Sequence, residues 1–170
     1  MRNFIGREAT LSKIDRYFST NDITCPKKLI LHALGGQGKS QIALKYCQKS
    51  RDSHQGIFWI NASSEITTRE AFKRIATVLD GKYPSGLEDL DQKIQHVLRT
   101  LERWETRWIL IFDNYDSPEV FDVRNFFPRS MSLYPINILL DTLLTGIGRW
   151  TRGDPYHKPE SEPRTIWGTS

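Results

Sequence analysis

The sequence is poor in the residues that build disulfide or metal frameworks. It contains only two cysteines, Cys25 and Cys47, which are too few for a disulfide-stapled fold. Its histidines stand far apart along the chain, and no pair has the short ligand spacing of a zinc site. They are His32, His54, His96 and His157. We therefore expect no structural metal, and we interpret Cys47 as a small packed residue.

Long apolar runs and a block of one charge are also missing. The longest apolar-leaning stretch, residues 136–147, is interrupted by Asn137 and Asp141 and is too short to span a bilayer. The first residues lack the apolar core of a signal peptide. The net charge of +4 is not gathered into one basic patch, which argues against a nucleic-acid surface. We expect a cytoplasmic protein of single-domain size, with no membrane partner.

Glycine is concentrated at one informative place. Residues 33–40 read Ala-Leu-Gly-Gly-Gln-Gly-Lys-Ser, between a strand-like segment at 28–32 and a helix-like segment at 39–49. Glycines let the backbone close around an anion, and a helix N-terminus adds unpaired N–H groups. The octapeptide departs from the G-x-x-x-x-G-K-[ST] pattern only at Ala33, which alanine can fill if its φ stays negative. The sequence therefore predicts a phosphate-binding loop.

Each residue type in this loop has an expected role. Lys39 reaches the β- and γ-phosphates, and the Ser40 hydroxyl is a Mg²⁺ ligand. Backbone N–H groups of the remaining positions surround the phosphates. The predicted phosphate-binding residues are Ala33, Leu34, Gly35, Gly36, Gln37, Gly38, Lys39, Ser40 and Gln41.

Strand-like and helix-like segments alternate along the first two thirds of the chain. Apolar strands are predicted at 28–32, 56–61 and 108–113, and helices at 8–18, 39–49 and 87–103. A further helix is predicted to open at a capping box, with Thr67 as N-cap and Glu70 three residues on. This alternation predicts an α/β fold with a parallel sheet, whose ligands bind at the carboxyl ends of the strands.

The third predicted strand ends in an acid. Asp113 is expected near Ser40, where its carboxylate binds the same Mg²⁺ directly or through water. ATPases often carry a second acid at the next position, where this chain has Asn114. An amide can hold the attacking water but cannot accept its proton, and Asp116 is the alternative acid. Asp113 and Asn114 are the candidate catalytic residues, and we expect slow or absent hydrolysis.

These segments together resemble the NB-ARC nucleotide-binding domain of STAND-type signalling NTPases, especially the fungal members. The segments are residues 4–8, 33–44, 58–64, 108–114 and 116–124. The resemblance covers residues 3 to about 128 and implies a three-layer P-loop NTPase-type sheet with flanking helices. It implies ATP or ADP with Mg²⁺ as the ligand. It also implies that Phe4, Ile5, Gly6 and Arg7 lie on the adenine and ribose side.

The resemblance weakens near Arg129. A strand ending in a Thr/Ser-Thr/Ser-Arg sensor is implied next, and residues 136–142 look like a degraded form with no arginine at the tip. We expect an NB-ARC-like part at 1–128, a divergent and poorly ordered tail at 129–170, and a sheet incomplete on its C-terminal side. This would fit a fragment, a truncated product or a wrong splice.

Three functions remain open at this point. The first is an ADP/ATP switch that controls self-assembly in signalling akin to innate immunity, as the resemblance to fungal NLR proteins implies. The second is a hydrolytically active P-loop ATPase or small-molecule kinase. The third is a truncated regulator that pairs with full-length NB-ARC relatives.

Overall fold

The computed structural model describes residues 7–19, 27–32, 36–80 and 89–128, and the backbone of two strands at 136–142 and 164–167. The elements are α1 (Glu8–Ser19), β1 (Lys27–His32), α2 (Lys39–Ser50), β2 (Gly56–Asn61), α3 (Glu65–Asp80), α4 (Leu90–Arg103), β3 (Trp108–Asp113), β4 (Ile136–Thr142) and β5 (Arg164–Trp167). Short 3-10 turns follow α2 and precede residue 127. Within these ranges, no helix combines the length and the apolar character needed to cross a membrane.

The five strands form one sheet in the order β2-β3-β4-β1-β5. All four neighbouring pairs are parallel. Parallel neighbours need long crossover connections, and α3 and α4 supply the one between β2 and β3. The structure therefore confirms the predicted α/β class with a parallel sheet and flanking helices.

Two strands come from beyond residue 128. β4 pairs with β1 on one side and β3 on the other, so the segment predicted as a degraded strand occupies the centre of the sheet. β5, which the sequence did not predict, pairs with the other edge of β1. The domain division near residue 128 stays a prediction, but both strands join the sheet that the earlier residues form.

The two faces of the sheet bury different cores. Along β3, Trp108, Leu110 and Phe112 pack with residues of α3 and α4, whereas Ile109 and Ile111 pack with residues of α1 and α2. This follows from the two-residue period of a strand, which sends successive side chains to opposite faces. All five side chains are almost fully buried. β3 therefore contributes to both halves of the core, which fixes the position of its last residue, Asp113.

One helix start was predicted wrongly. α3 begins at Glu65, so Thr67 lies inside its first turn rather than at its cap. The Ser64 N–H donates to Thr67 Oγ1 at 3.1 Å, and the Thr67 N–H donates to Ser64 Oγ at 3.1 Å. This reciprocal pair of hydrogen bonds is a capping box with Ser64 as the N-cap. The prediction failed because Ser64, three residues before Thr67, also carries a hydroxyl that can cap the helix. α4 begins at Leu90, and the predicted start at residue 87 lies outside the described residues.

Candidate functional site

The described end of the glycine loop has the backbone that its sequence predicts. Gly36 has φ 76° and Gly38 has φ 77°, both in the left-handed region that favours glycine. A Cβ on Gly36 would meet nothing within 4 Å, so the backbone conformation, not crowding, selects glycine there. Gly38 is the N-cap of α2, and its carbonyl accepts the Ile42 N–H at 3.0 Å. Ala33, Leu34 and Gly35 lie outside the described residues.

The start of α2 and the tip of β3 meet directly. The Ser40 hydroxyl donates to Asp113 Oδ1 at 2.8 Å, although 73 positions separate the two residues in the chain. Ser40 is the second residue of α2 and Asp113 is the last of β3. The structure thus brings together the two residues that the sequence predicted as Mg²⁺ ligands.

Asp113 points to the same face of the sheet as α2. It shares the strand parity of Ile109 and Ile111, which pack with α1 and α2. In the neighbouring strand Trp59 is paired with Ile111, so Trp59 and Asp113 are diagonal neighbours on that face. The Trp59 indole donates from Nε1 to Asp113 Oδ2 at 3.2 Å. Each carboxylate oxygen therefore accepts a hydrogen bond from a different element.

This arrangement fits a Mg²⁺ ion bound together with phosphate. Ser40 and Asp113 supply a hydroxyl and a carboxylate oxygen, the ligand types that Mg²⁺ prefers, and both residues are half-buried. Among the described residues, no group of three His, Cys, Asp or Glu side chains could hold a metal alone. Protein Mg²⁺ sites commonly use one or two carboxylates with substrate phosphates and waters. The pair would therefore hold the ion with a phosphate ligand rather than as an independent metal centre.

The chain turns sharply after Asp113. Asn114 has φ 62°, a left-handed conformation that asparagine tolerates better than most residues, and its carbonyl accepts the Asp116 N–H at 3.1 Å. Both Asn114 and Asp116 are exposed. The turn begins directly after Asp113, so Asn114 is the neighbour of that acid in the chain.

Tyr115 anchors the loop that follows. Its side chain is 1% exposed, and its hydroxyl donates to the Phe121 carbonyl at 2.8 Å while accepting the Val123 N–H at 3.4 Å. Burial raises the pKa of the phenol, so the hydroxyl keeps the proton that it donates. The tip of β3 is therefore continuous with an anchored loop.

Comparisons with known proteins found partial similarity in sequence and similarity in fold. No family model matches the chain. A nucleotide-binding leucine-rich repeat (NLR)-like protein from Hyaloscypha variabilis is 29% identical over 119 residues, which is 66% of this chain and 12% of that protein. The crystal structure of Cdc6p from Pyrobaculum aerophilum superposes with a TM-score of 0.59 and 14% identity, covering 91% of this chain and 43% of that one.

The chain has a fold similar to that of Cdc6p and is similar over part of its length to an NLR-like protein. The likeness to Cdc6p, at 14% identity, shows the fold alone. The match covers 12% of the NLR-like protein and 43% of the Cdc6p chain, so the chain spans less than half the length of either.

Of the residues predicted to lie on the adenine and ribose side, the structure describes only Arg7. The Arg7 carbonyl accepts the Leu11 N–H at 3.0 Å, which places Arg7 at the start of α1, and Phe4, Ile5 and Gly6 lie outside the described residues. The last turn of α1 lies near the beginning of β1, since the Tyr17 hydroxyl donates to the Lys28 carbonyl at 2.9 Å. The adenine and ribose role of residues 4–7 stays a prediction.

Sequence reasoning missed one residue of the candidate site. Trp59 was part of a resembling segment, but no role was predicted for it. Its contact with Asp113 could have been found only by pairing β2 with β3 in the correct register, because residues two apart on adjacent strands become diagonal neighbours on one face. Nothing in the sequence alone gives that register.

Proposed function

We propose that the NB-ARC-like domain binds an adenine nucleotide, ADP or ATP, together with Mg²⁺, and hydrolyses it slowly or not at all. The observation that carries this proposal is the 2.8 Å contact between the Ser40 hydroxyl and Asp113 Oδ1. It joins the helix after the glycine loop to the acid at a strand tip, at the carboxyl edge where ligands of parallel sheets bind.

The surrounding residues supply what a bound phosphate needs. α2 has twelve residues, so its N-terminus carries N–H groups without partners inside the helix and the positive end of a helix dipole. Lys39 is the first residue of that helix and is half-buried beside the loop. Mg²⁺, when bound, neutralises phosphate charge, and Ser40 and Asp113 are the residues that would hold it. These groups favour a polyphosphate over a neutral ligand.

A binding experiment with a matched control tests the proposal. Calorimetric titration with ADP and ATP would compare the wild type with Lys39→Ala and Lys45→Ala. Lys45 is an exposed lysine on the same helix, so its loss removes the same charge away from the loop. We expect Lys39→Ala to weaken binding at least about tenfold, because hydrogen bonds to charged groups contribute about 1.5–3 kcal/mol. Lys45→Ala should bind as the wild type does.

Two results would contradict the proposal. One is wild-type protein that binds neither nucleotide at millimolar concentration. The other is equal affinity in the wild type and Lys39→Ala, which would show that the lysine of the loop does not meet phosphate.

The proposal of slow hydrolysis rests on Asn114. Asn114 follows Asp113 in the chain, and its amide cannot accept a proton from water. Single-turnover phosphate release should therefore be slow, and Asn114→Asp should accelerate it about a hundredfold, the lower end of what a general base contributes. Asn114→Gly is the control, since glycine accepts the φ of 62° without supplying a base. Rapid release by the wild type would favour the alternative, a hydrolytically active P-loop ATPase.

We further propose that the domain serves in a larger cytoplasmic signalling switch. The NLR-like relative is far longer than this chain, and its name describes it as nucleotide-binding. Self-association, or pairing with full-length relatives, would then follow nucleotide exchange. Light scattering after size exclusion, with ADP and then ATP, should show a change of mass on exchange. An unchanged monomer in both nucleotides would contradict self-association by this chain.

A further inference from the structure

We propose that Trp59 is a positioning residue that orients the Asp113 carboxylate for Mg²⁺. This inference rests on the proposed function, because the ion is expected to arrive with the nucleotide. Trp59 does not touch the nucleotide in this proposal. It acts through Asp113, to which its indole Nε1 donates a hydrogen bond of 3.2 Å.

The geometry follows from strand register. β2 pairs with β3 so that Trp59 lies opposite Ile111, two residues before Asp113 on the same face. A diagonal spacing on one sheet face is within reach of a long aromatic side chain. The indole therefore bridges from the edge strand to the acid without help from any loop. Its position is set by the register of the two paired strands.

The chemistry of the two donors differs in a useful way. The Ser40 hydroxyl can donate a hydrogen bond or offer a lone pair, so it can either bind Asp113 Oδ1 or ligate a metal. The indole N–H of Trp59 can only donate. It therefore holds Oδ2 whichever role Ser40 takes, and leaves Oδ1 as the oxygen that faces the start of α2. A fixed carboxylate has less side-chain entropy to lose when the ion binds.

Packing alone does not account for a tryptophan at this position. Trp59 is 37% exposed, whereas Trp108 on the adjacent strand is 1% exposed. Trp59 therefore buries less of its apolar area than Trp108 does, and packing contributes less at its position. Its hydrogen bond to an ionised acceptor is the interaction that a phenylalanine of nearly the same shape would lose.

The test measures how ADP affinity depends on Mg²⁺. ADP would be titrated into the wild type, Trp59→Phe and Trp104→Phe, first in EDTA and then over a series of Mg²⁺ concentrations. Trp104 is a partly buried tryptophan that packs on Phe58, whose side chain lies on the opposite face of β2. This makes Trp104→Phe a matched control. We expect Trp59→Phe to need about tenfold more Mg²⁺ for half of the affinity gain, the low end for partners of metal ligands. Its affinity in EDTA and the Mg²⁺ dependence of Trp104→Phe should match the wild type.

A second variant separates positioning from general damage. In an Asp113→Asn background, Trp59→Phe should change the Mg²⁺ dependence no further, because the carboxylate through which it acts is gone. Equal Mg²⁺ dependence in the wild type and Trp59→Phe would overturn the inference. So would a loss of affinity in EDTA, or a full additional loss in the Asp113→Asn background, since either shows a merely structural role.

The outcomes keep the two proposals apart. Failure of the wild type to bind ADP would contradict the proposed function, and this inference with it. Normal ADP binding that is sensitive to Lys39→Ala but indifferent to Trp59→Phe would contradict only the role of Trp59.

Discussion

The two faces of the sheet differ in their role, although β3 contributes side chains to both. One face forms apolar core, and the other also carries residues of the candidate site. Toward α3 and α4, β3 presents Trp108, Leu110 and Phe112, all at or below 1% exposure. Toward α2 it presents Ile109 and Ile111 and then Asp113, whose oxygens accept from Ser40 and Trp59. Because successive side chains of a strand point to opposite faces, a core residue such as Phe112 lies directly before the site residue Asp113. Neighbours in sequence can therefore have very different sensitivity to mutation.

The faces also differ beyond the end of β3. On the α3 and α4 side, the aromatic core continues into the loop after the strand, with ring contacts between Phe72 and Phe126 and between Phe112 and Phe127. On the α2 side, the apolar core gives way at the carboxyl edge to Ser40 and Asp113. At this edge of the sheet, one face therefore carries packed aromatic rings and the other carries the oxygen atoms of Ser40 and Asp113. A ligand site on a stable scaffold requires both.

The largest predicted effect contrasts Phe112 with its neighbour. Phe112→Ala should lower the free energy of unfolding by about 3–5 kcal/mol, because it removes a fully buried aromatic ring and leaves a cavity. Asp113→Asn should change it by less than about 1 kcal/mol, as a half-buried side chain of the same shape is kept. Urea unfolding of both variants measures the difference. Equal losses of unfolding free energy in the two variants would contradict the proposed difference between the two faces.

The next effect concerns the loop that continues the aromatic core. Tyr115→Phe should cost about 1–3 kcal/mol, since it leaves the buried Phe121 carbonyl and Val123 N–H without the hydroxyl. Because the loop begins beside Asp113, the same variant tests whether the anchor also supports the site. We expect ADP affinity to fall less than twofold at temperatures where the variant is folded. A large loss of affinity would show that the two faces are coupled through this loop.

A smaller effect tests the observed start of α3. Ser64→Ala should cost about 1 kcal/mol, the usual effect of losing a helix N-cap. Ser63→Ala is the control, because Ser63 precedes the cap and is exposed. Thermal unfolding of the two variants compares them. A greater loss in Ser63→Ala would contradict the assignment of Ser64 as the cap.

The smallest effect is a pH dependence on the α2 side, away from the site. Burial lowers the pKa of His54 below its ordinary 6.5, because it disfavours the charged imidazole, while the Ser50 carbonyl near Nδ1 at 3.0 Å acts in the opposite direction. A group whose pKa is lowered by folding binds its proton less readily when folded, so stability falls as pH decreases below about 6.5. His54→Gln should remove this part of the pH dependence in urea unfolding. An unchanged pH profile in His54→Gln would show that His54 does not cause it.

Much of this molecule could be predicted from the sequence where local signals were strong. The bounds of β2 and β3 were predicted correctly because continuous apolar runs end there in polar residues. The start of α3 was wrong because Ser64 and Thr67 both satisfy local capping rules, and only the backbone path after β2 selects between them. β5 could not be predicted, since a four-residue strand carries too little periodicity to recognise.

The site shows the same limit. The predicted pairing of Ser40 with Asp113 followed from motif chemistry and the rule that ligands bind at the carboxyl edge of parallel sheets. The contact of Trp59 with Asp113 depends on the register between two strands whose paired residues lie 52 positions apart, as Trp59 pairs with Ile111. Sequence patterns constrain which residues lie at an edge far better than which side chains touch there.

The central claim is that Ser40 and Asp113 act as one nucleotide site, and a double-mutant cycle tests it most directly. ADP affinity in the presence of Mg²⁺ would be measured for Ser40→Ala, Asp113→Asn and the double variant. If both residues serve one ion, the double variant should bind no more weakly than the weaker single variant, a coupling of the kind expected for residues in contact. Single variants that bind as the wild type does, or losses that add in full, would contradict the account.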